Sequence, residues 1–244
     1  MDLLKKIGFS TGDLLKILYL QQTKKAPINA TELHALYTQF LPGVEVGYEY
    51  VSKIGRQLET ANAINVSHTI QKKKYYTITS TGADLLTNYE NLYYGQFSEI
   101  AKVFERIDFH LTRKGQAPSP FETPLPSEFR RFFAKLVSVR DITRYMIFYL
   151  GDKRTDFYAA EALEQMDFLF GWSPSNGYFY DIVREMESEQ TIVGKWKDPE
   201  KRTIRLIRVT NDGVVFAKQV RSSLAEQVSN VRIHLNSIQM LFDA

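Results

Sequence analysis

Cysteine is absent from the 244-residue chain, and with it go disulfides, thiolate chemistry and every thiolate metal site. Histidine is scarce: His34, His68, His110 and His234 are scattered without the spacing that a metal ion requires. No run of about 18 uncharged apolar residues exists. Asp2, Lys5, Lys6, Asp13 and Lys16 interrupt what would have to be the apolar stretch of a signal peptide. No membrane partner is therefore expected, and a reducing, cytoplasmic location is. A Gly-rich phosphate loop, a nucleophile paired with a base and a carboxylate cluster are missing too, so the sequence points away from an enzyme and names no cofactor. Excess charge is small: a net +3 does not by itself imply nucleic acid, so the local distribution of charge has to decide.

What is present is a repeat. Sliding the chain by 130 residues lays Lys16-Ile17-Leu18-Tyr19-Leu20 on Met146-Ile147-Phe148-Tyr149-Leu150, and Leu33 on Leu163. A shift of 131 lays Ile78-Thr79-Ser80-Thr81-Gly82 on Val209-Thr210-Asn211-Asp212-Gly213. The same shift matches Tyr93, Phe97, Ile100, Phe104, Ile107 and Leu111 with Leu224, Val228, Val231, Leu235, Ile238 and Phe242, all apolar. Between these ends, Leu58-Glu59 and Ile64 match Met186-Glu187 and Ile192 at a shift of 128, and a longer turn around Asp198-Pro199-Glu200 restores the lost residues.

Each copy reads as three helices followed by a hairpin. Ser10-x-x-Asp13 and Ser138-x-x-Asp141 form capping boxes that open the first helix, through Leu14, Leu15, Ile17 and Leu18 in one copy and Ile142, Tyr145, Met146 and Tyr149 in the other. The second helix follows Asn29-x-x-Glu32 in copy one and Asp156 in copy two. Val51, Ile54, Leu58 and Ala61, and Phe179, Ile182 or Val183 and Met186, recur at the three-and-four spacing of a third helix. The period then changes to two in Tyr75–Thr79 and Thr203–Val209, each paired with an earlier stretch, Ile64–Ile70 or Ile192–Trp196. Three helices and a two-stranded wing make a winged helix, whose third helix enters a major groove while the hairpin lies along phosphates. The expected class is thus mainly α with small β wings (α+β): two tandem winged-helix modules, each followed by a long amphipathic helix, related by a pseudo-two-fold. The copies occupy residues 1–114 and 128–244, and a Pro-rich extended linker, 115–127, joins them.

The residues also carry a resemblance. Trp172-Ser173-Pro174-Ser175, Tyr180 through Val183, Met186-Glu187, Ile192, a basic wing and Val209-Thr210-x-x-Gly213 resemble the PadR-like family of winged-helix regulators. Copy one keeps Leu58-Glu59, Ile64, Lys74 through Thr79 and Thr81-Gly82, but lacks the Ser-Pro start of the third helix, which in copy two places Pro174 in the first turn behind a Ser173 cap. The resemblance implies a DNA-binding transcriptional regulator that dimerises through a C-terminal helix. Fusion of two copies departs from the family's usual single module and from simple palindromic operator binding.

Charge distribution refines that expectation. Lys53 and Arg56 lie on the third helix of copy one, the best candidates for base edges, and Lys72, Lys73 and Lys74 form its wing. In copy two Lys195, Lys197, Lys201 and Arg202 supply wing phosphate contacts, whereas the third helix sets Arg184 against Asp181, Glu185, Glu187 and Glu189 and should repel a backbone. Such an acidic helix keeps a second reading open: an adaptor or sensor for a protein partner or an anionic nucleotide, such as a cyclic dinucleotide. Arg130, Arg131, Arg140 and Arg144 are the candidate ligand residues, since arginines near Phe129, Phe132 and Phe133 can clamp a planar anion. Arg140-x-x-x-Arg144 is similar to one element of the PilZ type of cyclic-dinucleotide binder, the rest of whose motif is missing. Apolar stripes on the trailing helices require partners, either each other within the chain or a sister chain in a homodimer.

Overall fold

A computed structural model describes residues 6, 8–40, 45–119, 123–198, 200 and 204–242. The chain divides into two compact units, one made of residues 1–98 and 233–244, the other of residues 99–232.

The first unit carries α1 (Thr11–Lys25), α2 (Ala30–Phe40), α3 (Tyr48–Thr60), β1 (Ile64–Ile70), β2 (Lys73–Ile78) and the start of α4 (Ser80–Thr112). Ser10 caps α1 by accepting the Asp13 amide at 2.9 Å. A reciprocal box opens α2, in which Asn29 Oδ1 accepts the Glu32 amide at 3.1 Å and the Glu32 carboxylate accepts the Asn29 amide at 3.3 Å. Helix α1 is covered almost all round: Leu14, Leu15, Ile17, Leu18, Tyr19 and Leu20 are buried, as are Leu33 and Tyr37 of α2 and Val51, Ile54 and Leu58 of α3. Each such aliphatic or aromatic side chain stabilises the fold by about 1.5–3 kcal/mol. The hairpin is antiparallel, with Ile64 opposite Ile78, and Ile28 adds one bridge to Tyr76 on its other side.

The second unit begins with the last part of α4 and continues through α5 (Ser127–Leu136), α6 (Val139–Lys153), β3 (Phe157–Tyr158), α7 (Ala159–Phe170), α8 (Asn176–Ser188), β4 (Ile192–Trp196) and β5 (Arg205–Val209). It ends in α9 (Asn211–Phe242), whose residues from Ile233 onward belong to the first unit. The strands form one antiparallel sheet in the order β3-β5-β4, with Ile192 opposite Val209. Ser138 caps α6 through the Asp141 amide at 3.1 Å. Beneath the sheet lie Ile142, Met146 and Ile147 of α6, Phe157 of β3, Met166 and Phe170 of α7, and Phe179, Ile182, Val183 and Met186 of α8, all buried. His110 is buried here, its Nδ1 2.8 Å from the Tyr145 hydroxyl. Burial first, then the positive charges of Arg113, Arg221 and Lys153, lower its pKa to about 4.

Both units are therefore mainly helical with a small antiparallel sheet, the winged-helix arrangement expected from the sequence. Their wing bases coincide in detail. Asn62 and Gln190 take positive φ values of 55° and 59° directly after the third helix. Thr79 Oγ1 donates to Asn62 O at 2.6 Å and accepts the Gly82 amide at 3.1 Å; Thr210 Oγ1 donates to Gln190 O at 2.7 Å and accepts the Gly213 amide at 3.0 Å. A Cβ on Gly82 would overlap the Ala63 carbonyl oxygen and one on Gly213 the Thr191 carbonyl oxygen, which is why the Thr-x-x-Gly step needs glycine. The stripes of both trailing helices are buried at Phe97, Ile100, Phe104, Ile107 and Leu111, and at Leu224, Val228, Val231, Leu235 and Ile238.

Two local expectations are corrected. Asp156 does not cap α7; its carboxylate takes Arg208 Nε and Nη2 at 2.9 and 2.8 Å, and Glu161 instead accepts the Tyr158 amide at 3.0 Å. Helix α8 starts at Asn176 behind a Ser175 cap, so Pro174 precedes the helix rather than occupying its first turn. Among the described residues no helix is long and apolar enough to cross a membrane, and no group of His, Asp and Glu could hold a metal ion.

Candidate nucleic-acid interface

In the first unit the apolar spacing of α3 turns Val51, Ile54 and Leu58 inward and leaves Lys53, Arg56, Gln57 and Thr60 exposed. Lys53, Arg56, Gln57, Thr60 and Ala61 line one shallow depression of about 380 Å³. Among the described residues neither Lys53 nor Arg56 makes an ion pair. Gln71 and Lys72 form the hairpin turn with φ values of 48° and 65°, the left-handed pair that a two-residue turn demands, here without glycine. Lys72 and Lys73 are exposed. Lys74 is not available in the same way. Alternation on β2 places it on the side of Tyr76, and its Nζ sits 2.8 Å from Glu59 Oε1 at the end of α3. The Tyr76 hydroxyl donates to the other Glu59 oxygen at 3.1 Å, and burial followed by the Glu59 charge pushes the Tyr76 pKa up to about 12.

The acids on α8 are spoken for inside the second unit. Glu185 pairs with Arg140, Glu189 with Arg144 at 2.6 Å and with Arg140 at 3.3 Å, and Asp181 with Arg184. Glu187 accepts Arg205 Nε at 2.9 Å, and the Arg205 guanidinium lies over the Trp196 ring at 4.8 Å. The helix that looked repulsive in sequence is thus neutralised by its neighbours. On the outer face of the sheet Lys195 is exposed, as is Lys197, which lies over the Tyr158 ring at 5.6 Å. Lys201 and Arg202 lie outside the described residues.

Of the four candidate ligand arginines, Arg130, Arg131 and Arg140 line a single cavity. Arg144 departs from that expectation: it is 4% exposed, held by Glu189 and stacked toward Phe216, and lines none of the cavity. Sequence reasoning missed Glu59 and Glu187 as partners of the wing. The Leu58-Glu59 and Met186-Glu187 match was the available signal, since the two acids occupy equivalent positions and meet equivalent cations, Lys74 and Arg205. Tyr48, Tyr50 and Tyr178 stand among the exposed large side chains.

No family model matches the chain, and no curated protein matches it in sequence. Among solved structures, the crystal structure of Bacillus subtilis PadR in complex with operator DNA aligns over 86% of this chain and 99% of that one, at 13% identity and a TM-score of 0.30.

Proposed function

We propose that the chain is a DNA-binding regulator of the PadR-like winged-helix type, built from a tandem duplication, in which the first module makes the specific contact. The observation that carries this reading is the separation of charge in that module. Lys53, Arg56, Lys72 and Lys73 are exposed with no ion pair among the described residues, while Glu59 is occupied by Lys74. Helix α3 would enter the major groove, with Arg56 and Lys53 facing base edges and Gln57 and Thr60 completing the surface, and the turn would follow phosphates. In the second module the α8 acids are balanced internally, so that helix adds neither repulsion nor base readout, and Lys195 and Lys197 supply further phosphate contacts. The duplication reading, with copies in 1–114 and 128–244 around the 115–127 linker, is supported by the matched Thr-x-x-Gly steps and the matched Glu–cation clasps.

Selection from a random duplex pool tests the proposal. Wild type should enrich a motif, and Arg56→Ala should relax preference at one position, a loss of about 1–3 kcal/mol for a bidentate base contact. Arg184→Ala on α8 should leave the motif unchanged. Absence of duplex binding at low salt, or binding that ignores salt, would remove the regulator reading and favour the adaptor or sensor.

A further inference from the structure

The second unit contains a cavity of about 730 Å³, within the range of small-molecule sites. Its walls come from α5, the start of α6 and the segment Trp172–Ser175 that leads into α8. Three cations line it, Arg130, Arg131 and Arg140, and no carboxylate does. Their placement is built. Arg130 donates Nε to the Leu125 carbonyl at 3.2 Å, which fixes the side chain and leaves its terminal nitrogens for another acceptor. The Arg131 guanidinium lies over the Phe132 ring, 4.6 Å from its centroid. Trp172, 3% exposed, packs on Phe133 with ring centroids 4.6 Å apart and forms a rigid apolar wall. Tyr178 adds a ring that is 44% exposed. At the start of α8, Ser175 Oγ accepts the Tyr178 amide at 3.4 Å, so the Asn176 and Gly177 amides are left without intrahelical acceptors.

We propose that this cavity binds a nucleoside monophosphate, its phosphate held by Arg130 and Arg131 and its base lying against Pro174 and Tyr178. Guanidinium groups in a cavity to whose lining no carboxylate contributes suit a dianion with several acceptor oxygens. Apolar walls beside an exposed ring suit a flat body, and the volume exceeds what inorganic phosphate would fill. Arg140 gives the site a built-in competitor: its guanidinium already serves Glu185 of α8 and Glu189 at the C-terminal end of that helix, so an anion in the cavity draws on the same cation that holds the third helix of this module. Removing one of those carboxylates should therefore strengthen anion binding. This site is independent of the DNA reading, and its test uses no DNA.

The experiment is a titration of the full chain carrying Trp196→Phe, which leaves Trp172 as the sole tryptophan reporter. GMP and AMP, guanosine and inorganic phosphate are the probes, and calorimetry is the second readout. The expected result is saturable quenching by the nucleotides, binding of phosphate alone weaker by at least about tenfold, and none by guanosine. Arg130→Ala with Arg131→Ala should abolish nucleotide binding while leaving the circular dichroism spectrum intact, and Glu185→Gln should tighten it several-fold. No nucleotide binding up to about 5 mM, in a weaker range than the millimolar affinities of small ligands, would overturn the proposal. So would guanosine binding as well as GMP, phosphate binding as well as GMP, or Glu185→Gln binding more weakly than wild type.

Discussion

Replacing Lys72 and Lys73 together by alanine should flatten the salt dependence of duplex binding, whereas replacing Lys74 alone should not. Each phosphate neutralised by a lysine contributes about 0.9 to the slope of log affinity against log salt. Two free lysines at the turn therefore account for about 1.8 units, and over a fourfold rise in salt the double variant should lose about tenfold less affinity than wild type. Lys74 differs because its ammonium is 2.8 Å from Glu59 and shares that carboxylate with the Tyr76 hydroxyl. Its removal takes away no phosphate contact and instead leaves a carboxylate uncompensated beside α3, so affinity should fall with the slope unchanged. Fluorescence anisotropy of a labelled duplex between 50 and 200 mM KCl, a range in which phosphate-driven binding changes by about 10³–10⁵-fold for six to ten contacts, resolves both effects. A Lys74→Ala variant that flattens the slope as much as Lys72→Ala or Lys73→Ala would refute the assignment of Lys74 to an internal clasp. A double variant with the wild-type slope would refute the placement of phosphates along the wing.

Other consequences concern stability. Gly82→Ala and Gly213→Ala each add a Cβ that overlaps a backbone carbonyl and sits 2.8 Å from Ile78 Cγ1 or Val209 Cγ1. Overpacking of about 1–3 kcal/mol should exceed the roughly 1 kcal/mol gained in helix propensity, lowering the urea midpoint in both variants; an unchanged or raised midpoint would contradict the close approach. For His110, the folded pKa of about 4 lies below the unfolded value of 6.5, so the unfolded state takes the proton first as the pH drops. Stability contributed by the neutral ring is present above pH 6.5 and falls away toward pH 4, by roughly 3 kcal/mol. His110→Phe should abolish that part of the decline; parallel curves for the two proteins in urea melts from pH 4 to 7 would show that the ring titrates normally.

Local features were legible in the sequence because they depend on neighbours a few residues apart. The caps at Ser10, Asn29 and Ser138, the inward stripe of α3 and the Thr-x-x-Gly steps all form within one turn or one hairpin. What stayed hidden depends on residues far apart in the chain. The acids of α8 looked like an uncompensated cluster because Arg140 and Arg144 lie 45 residues away from Glu185 and Glu189, on another helix. Arg140 and Arg144 in turn looked like a clamp for an outside anion, since their helical spacing says that they share a face but not what that face meets. Asp156 looked like a helix cap by position, but Arg208 across the sheet offers it two charge-assisted hydrogen bonds that hold its carboxyl below the usual range, a stronger claim than one backbone amide.

The long helices α4 and α9 each divide their residues between the two units, and this sets an order of events during synthesis. The second unit is continuous from Glu99 to Arg232, so all of its chain has been synthesised before Ile233 is added. The first unit is not continuous: the ring of Phe242 lies against Tyr94 and Phe97, beside Phe9. The half that is translated first is consequently completed last, with its aromatic end uncovered until the tail of α9 arrives. A nascent chain paused before Ile233 would leave Tyr94 and Phe97 without the ring of Phe242, an apolar surface of the kind that invites wrong contacts during folding.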